Sequence, residues 1–180
     1  GLPNLYDLQA SGDWTWSKMR EIAKKATRDT NGDGKTDQWG FSSLWFSEIV
    51  PVAFAVTNNV QPYRKIEGEV KFTFNKKPAL QSIELVHNMM KVDNSTYKRV
   101  GAPDQVAAFS QGKIAMLMCD KWGLHQANQA GMDDGFGWVF VPKGPNAEEY
   151  KAPVLQTALQ VIPRTVDNPE EVFKVGNALF

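Results

Sequence analysis

Asp29, Asn31, Asp33 and Asp37 set oxygen-bearing side chains at alternating places in the stretch Asp29-Thr30-Asn31-Gly32-Asp33-Gly34-Lys35-Thr36-Asp37-Gln38-Trp39-Gly40-Phe41. The spacing matches positions 1, 3, 5 and 9 of an EF-hand calcium loop, with Gly34 at the sharp turn and the Lys35 carbonyl at position 7. A hard cation takes many oxygens, and a tightly turning loop aims alternate side chains inward. Position 12, which calls for a bidentate Glu, is Gly40. Gln38 offers a neutral oxygen, a weaker ligand than a carboxylate. The residues after the loop read as a strand rather than a second helix, so the stretch is half an EF-hand. Two readings stay open: a calcium site with affinity of roughly 10⁻⁴–10⁻³ M, or an acidic, Gly-rich turn without a metal.

Other chemistry is sparse. There is no Gly-rich phosphate loop, nucleophile elbow, zinc signature or paired-carboxylate motif. Cys119 is the sole cysteine, inside the apolar run Ile114-Ala115-Met116-Leu117-Met118, and reads as a buried, inert thiol. His87 and His125 each stand alone. Asp133-Asp134 and Glu148-Glu149 are adjacent acidic pairs in turn-like sequence and do not suit carboxylates poised across a bond. The six Trp are more informative. Several lie beside Gly or polar residues, as in Asp13-Trp14-Thr15-Trp16 and Asp120-Lys121-Trp122-Gly123, where a ring can serve recognition as well as packing.

Twenty Lys and Arg balance twenty Asp and Glu across 180 residues. Zero net charge argues against a nucleic-acid surface or a polybasic membrane patch. The length suits one domain with its own core. No apolar run is long enough to span a bilayer. Gly1-Leu2-Pro3 is neither a signal peptide nor a natural start, which suggests a processed or trimmed chain.

The elements that must position these residues are mixed. Residues 1–14 read as an irregular lead-in because of Pro3, Asn4 and Gly12. Thr15 should cap a helix carrying Trp16, Met19, Ile22, Ala23 and Ala26 and ending near Arg28. Trp39 to Ser42 reads as a short strand. Ser43 or Ser47 is a candidate cap for an apolar helix with Pro51 in its first turn, stopped by Asn58-Asn59. Residues 61–69 read as loop and 70–74 as a strand. Residues 78–92 read as an amphipathic helix with Leu80, Ile83, Leu85 or Val86, and Met89 or Met90 facing inward. A polar loop, 93–103, precedes a short helix from Asp104 to Gln111. Residues 114–119 suggest a central strand covered on both faces. Residues 121–129 should be helical, and 136–141 and 154–162 strands. Asn168-Pro169-Glu170-Glu171 is a helix start with cap, Pro and first-turn acids. The fold class is α/β.

Several segments, in order, resemble one family: Thr15-Trp16, the acidic loop through Phe41, Ala108-Phe109-Ser110-Gln111-Gly112-Lys113-Ile114-Ala115-Met116, Asp120-Lys121-Trp122, Val141-Pro142-Lys143-Gly144-Pro145 and Asn168-Pro169-Glu170-Glu171. The chain is similar to the family 1 extracellular solute-binding proteins of bacterial ABC transporters, most of which take up sugars and oligosaccharides. The lead-in resembles the larger Gram-positive members. A departure is Ser17-Lys18, where an acidic residue usually follows the Thr-Trp pair; this removes a capping box.

The resemblance implies one lobe of a longer, two-lobed periplasmic-binding-protein-like protein, residues 1–180 forming the C-terminal lobe. It implies a sugar or oligosaccharide held in an interlobe cleft, delivery to a permease, a monomer, no catalytic residues, and an extracellular or periplasmic location as a lipoprotein or free protein. No cofactor is required; calcium at Asp29, Asn31, Asp33, Lys35, Asp37 and Gln38 would be structural. Trp122 is the stacking candidate, with Asp120 as hydroxyl acceptor, because they follow a strand and ligands sit at strand ends in open α/β sheets. Trp45 and Phe46 follow another strand and come second. Competing classes are a carbohydrate-active enzyme and a calcium-stabilised, dockerin-like interaction module; the latter needs a second copy of the loop, which the sequence lacks.

Overall fold

Apolar residues at helical spacing become a helix where a cap supplies the missing backbone partners, and this chain provides caps repeatedly. The computed structural model describes residues 1–44, 49–97, 101–132, 135–153 and 161–178. Ser47, Asp133-Asp134 and most of the expected strand 154–162 fall outside the described residues.

Helix α1, Leu5–Ser11, occupies the expected irregular lead-in. The residues that argued against structure close it: Asn4 accepts from the Tyr6 N–H and Gly12 takes the left-handed C-terminal position. Helix α2, Trp16–Ala26, begins as expected, with Thr15 Oγ1 accepting from the Lys18 N–H. The acidic loop then leads to Trp39.

A small parallel sheet follows. Strand β1, Ser42–Ser43, pairs in parallel with β4, Leu117–Met118. Bridges at Trp39↔Ile114 and Phe41↔Thr96 extend the ladder on both sides. The segment 39–44 is therefore central, flanked by 114–118 and by 95–97. The apolar run 114–119 is a flank, paired on one side among the described residues, so its expected central place belongs to 39–44. Residues 95–97, expected as loop, supply the other flank: Phe41 N donates to Ser95 O and Tyr97 N to Phe41 O.

Helix α3, Val50–Thr57, starts with Pro in its first turn and stops at Asn58; Ser43 lies in β1 and does not cap it. Residues 61–69 are not wholly loop: β2, Tyr63–Ile66, pairs antiparallel with β3, Glu69–Phe72. Glu67 and Gly68, both at positive φ, form the hairpin turn. Helix α4, Lys77–His87, continues as a π-helical turn, Asn88–Val92. Its buried face is Ala79, Ser82, Leu85 and Val86, while Leu80 and Ile83 are exposed, contrary to expectation. Small Ala79 lets α4 approach Ala55 of α3 closely. Helix α5 is Ala102–Ser110, α6 is Lys121–Ala130 and α7 is Pro169–Ala178. Residues 136–141 are extended but form no ladder among the described residues. They are tied to the lead-in instead: Trp14 Nε1 donates to Phe140 O, and the Phe140 N–H to Gln9 Oε1.

The main core joins Trp14, Trp16, Met19, Ile22, Phe41, Phe54, Leu85, Val86 and Met89. Burying each large apolar side chain contributes about 1.5–3 kcal/mol. Trp16 meets Phe54 edge to face, and its indole N–H donates to Thr57 Oγ1 at 3.1 Å. A second cluster, Leu44, Val106 and Ala127 with Phe109 and Phe136 against it, packs α5 and α6 onto the ends of β1 and β4.

Candidate functional site at the strand ends

Parallel strands deliver their C-terminal ends to one edge, and β1 and β4 end beside each other there. Leu44 N donates to Met118 O. β4 then runs through Cys119 into Asp120, the N-cap of α6, whose Oδ1 accepts from the Gly123 N–H at 3.0 Å. Such a cap is worth about 1 kcal/mol. Asp120 thus holds the first turn of α6, and its side chain is exposed beside the helix's positive end. Trp122 stands in that first turn with 44 % of its surface exposed. The start of α6 thus carries an exposed carboxylate and a half-exposed ring within one turn, a hydroxyl acceptor and an apolar face.

The first turn of α6 lies tightly on the strand ends. A Cβ at Gly123 would fall 2.6 Å from Cys119 Cβ and 2.7 Å from Leu44 Cδ1. Burial and the nearby Asp120 charge push the Cys119 thiol up to about 11, so it stays protonated and unreactive at neutral pH. Trp45 and Phe46, the second pair of ligand candidates, lie outside the described residues.

The acidic loop is closed by its own hydrogen bonds. The Asp29 carboxylate accepts from the N–H groups of Asn31, Gly32 and Gly34, and Asn31 and Asp33 accept from Asp33 N and Lys35 N. These bonds, the Gly34 N–H foremost, hold the Asp29 carboxyl below the usual carboxylate range. Asp37 accepts from Thr30 N and Oγ1. Gln38 Oε1 faces Arg28 Nε at 3.1 Å. The place of the bidentate Glu is sterically shut: a Cβ at Gly40 would lie 2.0 Å from Ala23 O. Among the described residues no group of three or more His, Cys, Asp or Glu is placed to hold a metal ion. The oxygens of the loop therefore fit a metal only in part, and those of Asp29 already serve the backbone.

Sequence reasoning missed Gln105, buried in α5 and bonded to β1. A Gln amid the apolar positions of a short helix was the available signal. Elsewhere, an open depression lined by Ile162, Pro169, Glu170, Phe173 and Lys174 lies along α7 and includes none of the strand-end residues.

A family model described as bacterial extracellular solute-binding protein matches residues 3–180. No curated protein matches the sequence. Among solved structures, the chain is similar to the maltose/maltodextrin-binding domain MalE from Bdellovibrio bacteriovorus bound to maltotriose. The TM-score is 0.63 and the identity 23 %, over 76 % of this chain and 35 % of that one. A cyclo/maltodextrin-binding protein complexed with maltotetraose gives a TM-score of 0.58 at 15 % identity, over 77 % and 34 %. A maltotriose-binding protein from Thermus thermophilus bound with maltotriose gives 0.58 at 19 %, over 77 % and 36 %. The chain thus spans about a third of the length of these structures. The architecture is α/β, of the kind found in one lobe of a periplasmic-binding-protein-like fold.

Proposed function

From the premise that the chain belongs to the bacterial extracellular solute-binding protein family, we propose that it is the C-terminal lobe of a two-lobed carbohydrate-binding component of an ABC importer. In this reading the protein holds a sugar or oligosaccharide between its lobes, hands it to a permease as a monomer, and works outside the membrane, free or anchored as a lipoprotein. It performs no bond chemistry. The observation that carries the ligand class is the half-exposed Trp122 and the exposed Asp120 in the same helix start at the ends of parallel strands, together with a fold shared with maltodextrin-binding proteins. The apolar side chains of Val172, Phe173 and Val175 on α7 are exposed, which supports further chain packing there.

Trp122 would stack on the apolar face of a sugar ring and Asp120 would accept from its hydroxyls; Trp45 and Phe46 would add aromatic surface. Dispersion and desolvation supply the stacking, and the carboxylate supplies orientation. The acidic loop at Asp29, Asn31, Asp33, Lys35, Asp37 and Gln38 would be a turn that takes calcium weakly and structurally.

The test is an intrinsic-tryptophan fluorescence titration of the full-length protein with a panel of malto-oligosaccharides and other sugars. A saturable change with one sugar class, without turnover of that sugar, is expected. Trp122→Ala should weaken it by at least about 2 kcal/mol, the scale of a Trp anchor, while leaving stability within about 1 kcal/mol because the ring is half-exposed. Silence toward every sugar in a folded protein would sink the carbohydrate reading; turnover of the bound sugar would favour the enzyme instead.

A further inference from the structure

Gln105 is a fully buried amide in a helix whose other buried positions are Val106 and Ala108. Its Nε2 donates to Ser42 Oγ at 2.8 Å and to the Ser43 carbonyl at 2.6 Å. The carbonyl can only accept, so the amide orientation is fixed. Its Oε1 is buried and finds no donor among the described residues. An unsatisfied buried acceptor is costly, and an apolar residue of similar volume would fill the site without that cost. The amide therefore has something to do there that packing alone does not explain.

What it grips is the end of β1. Ser42 and Ser43 pair with Leu117 and Met118 of β4. The next residue, Leu44, packs where a Gly123 Cβ would stand, and Gly123 is adjacent to Trp122. A chain of direct contacts thus runs from Gln105 through Ser43 and Leu44 to the first turn of α6. We propose that Gln105 is a positioning residue for the carbohydrate-stacking face at Trp122. It locks α5 to the end of β1 and so sets the height of Leu44, on which the first turn of α6 rests. This rests on the carbohydrate reading above for its ligand, although the positioning itself concerns the described residues alone. Gln105 touches no ligand; it acts through Leu44 and Gly123.

The experiment compares wild type, Gln105→Met and Ser42→Ala in the full-length protein. Maltotriose affinity is measured by calorimetry, thermal midpoint by scanning calorimetry, Leu44 amide exchange by NMR, and the Trp122 environment by ¹⁹F NMR of fluorotryptophan-labelled protein, its resonance assigned with Trp122→Phe. Gln105→Met should weaken maltotriose binding about tenfold, the equivalent of one lost hydrogen bond. The thermal midpoint should move by only a few degrees, Leu44 exchange should accelerate, and the Trp122 resonance should shift. Ser42→Ala keeps the bond to the Ser43 carbonyl and should show the same changes at smaller size; it also serves where Gln105→Met does not fold. Wild-type affinity with an unshifted Trp122 resonance would overturn the proposal, as would an affinity loss no larger than the loss of folded protein. If wild type binds no carbohydrate, the functional reading falls separately. The positioning is then decided by Leu44 exchange and the Trp122 resonance, and overturned if both are unchanged in Gln105→Met.

Discussion

Two glycines carry more of this structure than their size suggests, for reasons that are steric rather than conformational. At Gly40 a Cβ would press on backbone atoms of Ala23, at 2.0 Å from its oxygen and 2.3 Å from its Cα. Neither helix α2 nor the strand can yield there without losing core contacts. At Gly123 the obstructing atoms are side-chain atoms of Cys119 and Leu44, which can shift in part. Gly123→Ala should therefore cost about 1–3 kcal/mol, the usual range for overpacking, and Gly40→Ala should cost more. Urea unfolding of both variants checks the order. Equal midpoints would show that the strand can move away from α2. The same contact at Gly40 explains why the EF-hand pattern stops short. A Glu at that place would need the very space that Ala23 occupies, so the sequence departs from the motif where the fold forbids it. That departure was visible in the sequence; its cause, a helix backbone against a strand, was not.

At the scale of elements, the tie between α2 and the π-helical turn is an ion pair. Arg20 donates from Nε and Nη2 to both oxygens of Asp93, whose side chain is almost fully buried. The Arg20 hydrogen bond, more than the charges of Arg20 and Lys24, holds the Asp93 carboxyl below its usual range. Its folded pKa thus lies below the unfolded value of about 3.9. The stabilisation is fully present above that value and is lost as pH falls through it toward the folded pKa. Asp93→Asn should lower stability at neutral pH by about 1.5–3 kcal/mol, the worth of hydrogen bonds to a charged group. It should also flatten the loss of stability between about pH 5 and pH 3. Denaturant unfolding across that range checks both; an unchanged acid limb would mean other carboxylates dominate it. The acidic loop makes a contrasting prediction. With carboxylate oxygens of Asp29 and Asp33 already accepting from backbone N–H groups, calcium should bind no tighter than about 10⁻⁴ M. Calorimetric titration decides it, and micromolar binding would show that the loop rearranges around the ion.

These elements also show what was legible. Helices α2 and α7 were readable because a cap and an apolar stripe coincide at Thr15-Trp16 and Asn168-Pro169. Helix α1 was hidden because Asn4 and Gly12 look like breakers until both are seen to be ends of the same helix. The β2 strand was hidden because its turn is Glu67-Gly68, not Asn-Gly, and its side chains are all exposed. Leu80 and Ile83 misled because α4 turns Ala79, Ser82, Leu85 and Val86 inward instead. The helix start at Asp120 and Trp122 was legible from its place after an apolar strand, whereas Gln105 bonds sequence-distant Ser42 and Ser43, which no spacing reveals.

For the whole molecule, the proposed two-lobed reading turns on how much of a binding site one lobe would supply. Trp122 is half-exposed in the first turn of α6. A sugar resting there would bury one face and leave the other in water, so only part of its stacking and hydrogen bonding would be realised. Closing a second lobe over the first buries the opposite face and excludes water, at the cost of ordering the hinge. The matched structures are about three times as long as the portion they share with this chain, which leaves room for such a partner lobe. The 180-residue chain alone should therefore bind maltotriose at least about a hundredfold more weakly than the full-length protein, a difference of about 2.7 kcal/mol. Scattering should show the full-length protein contracting on sugar addition while the isolated chain keeps its radius. Equal affinity in the two would overturn the proposal that the ligand is held between two lobes.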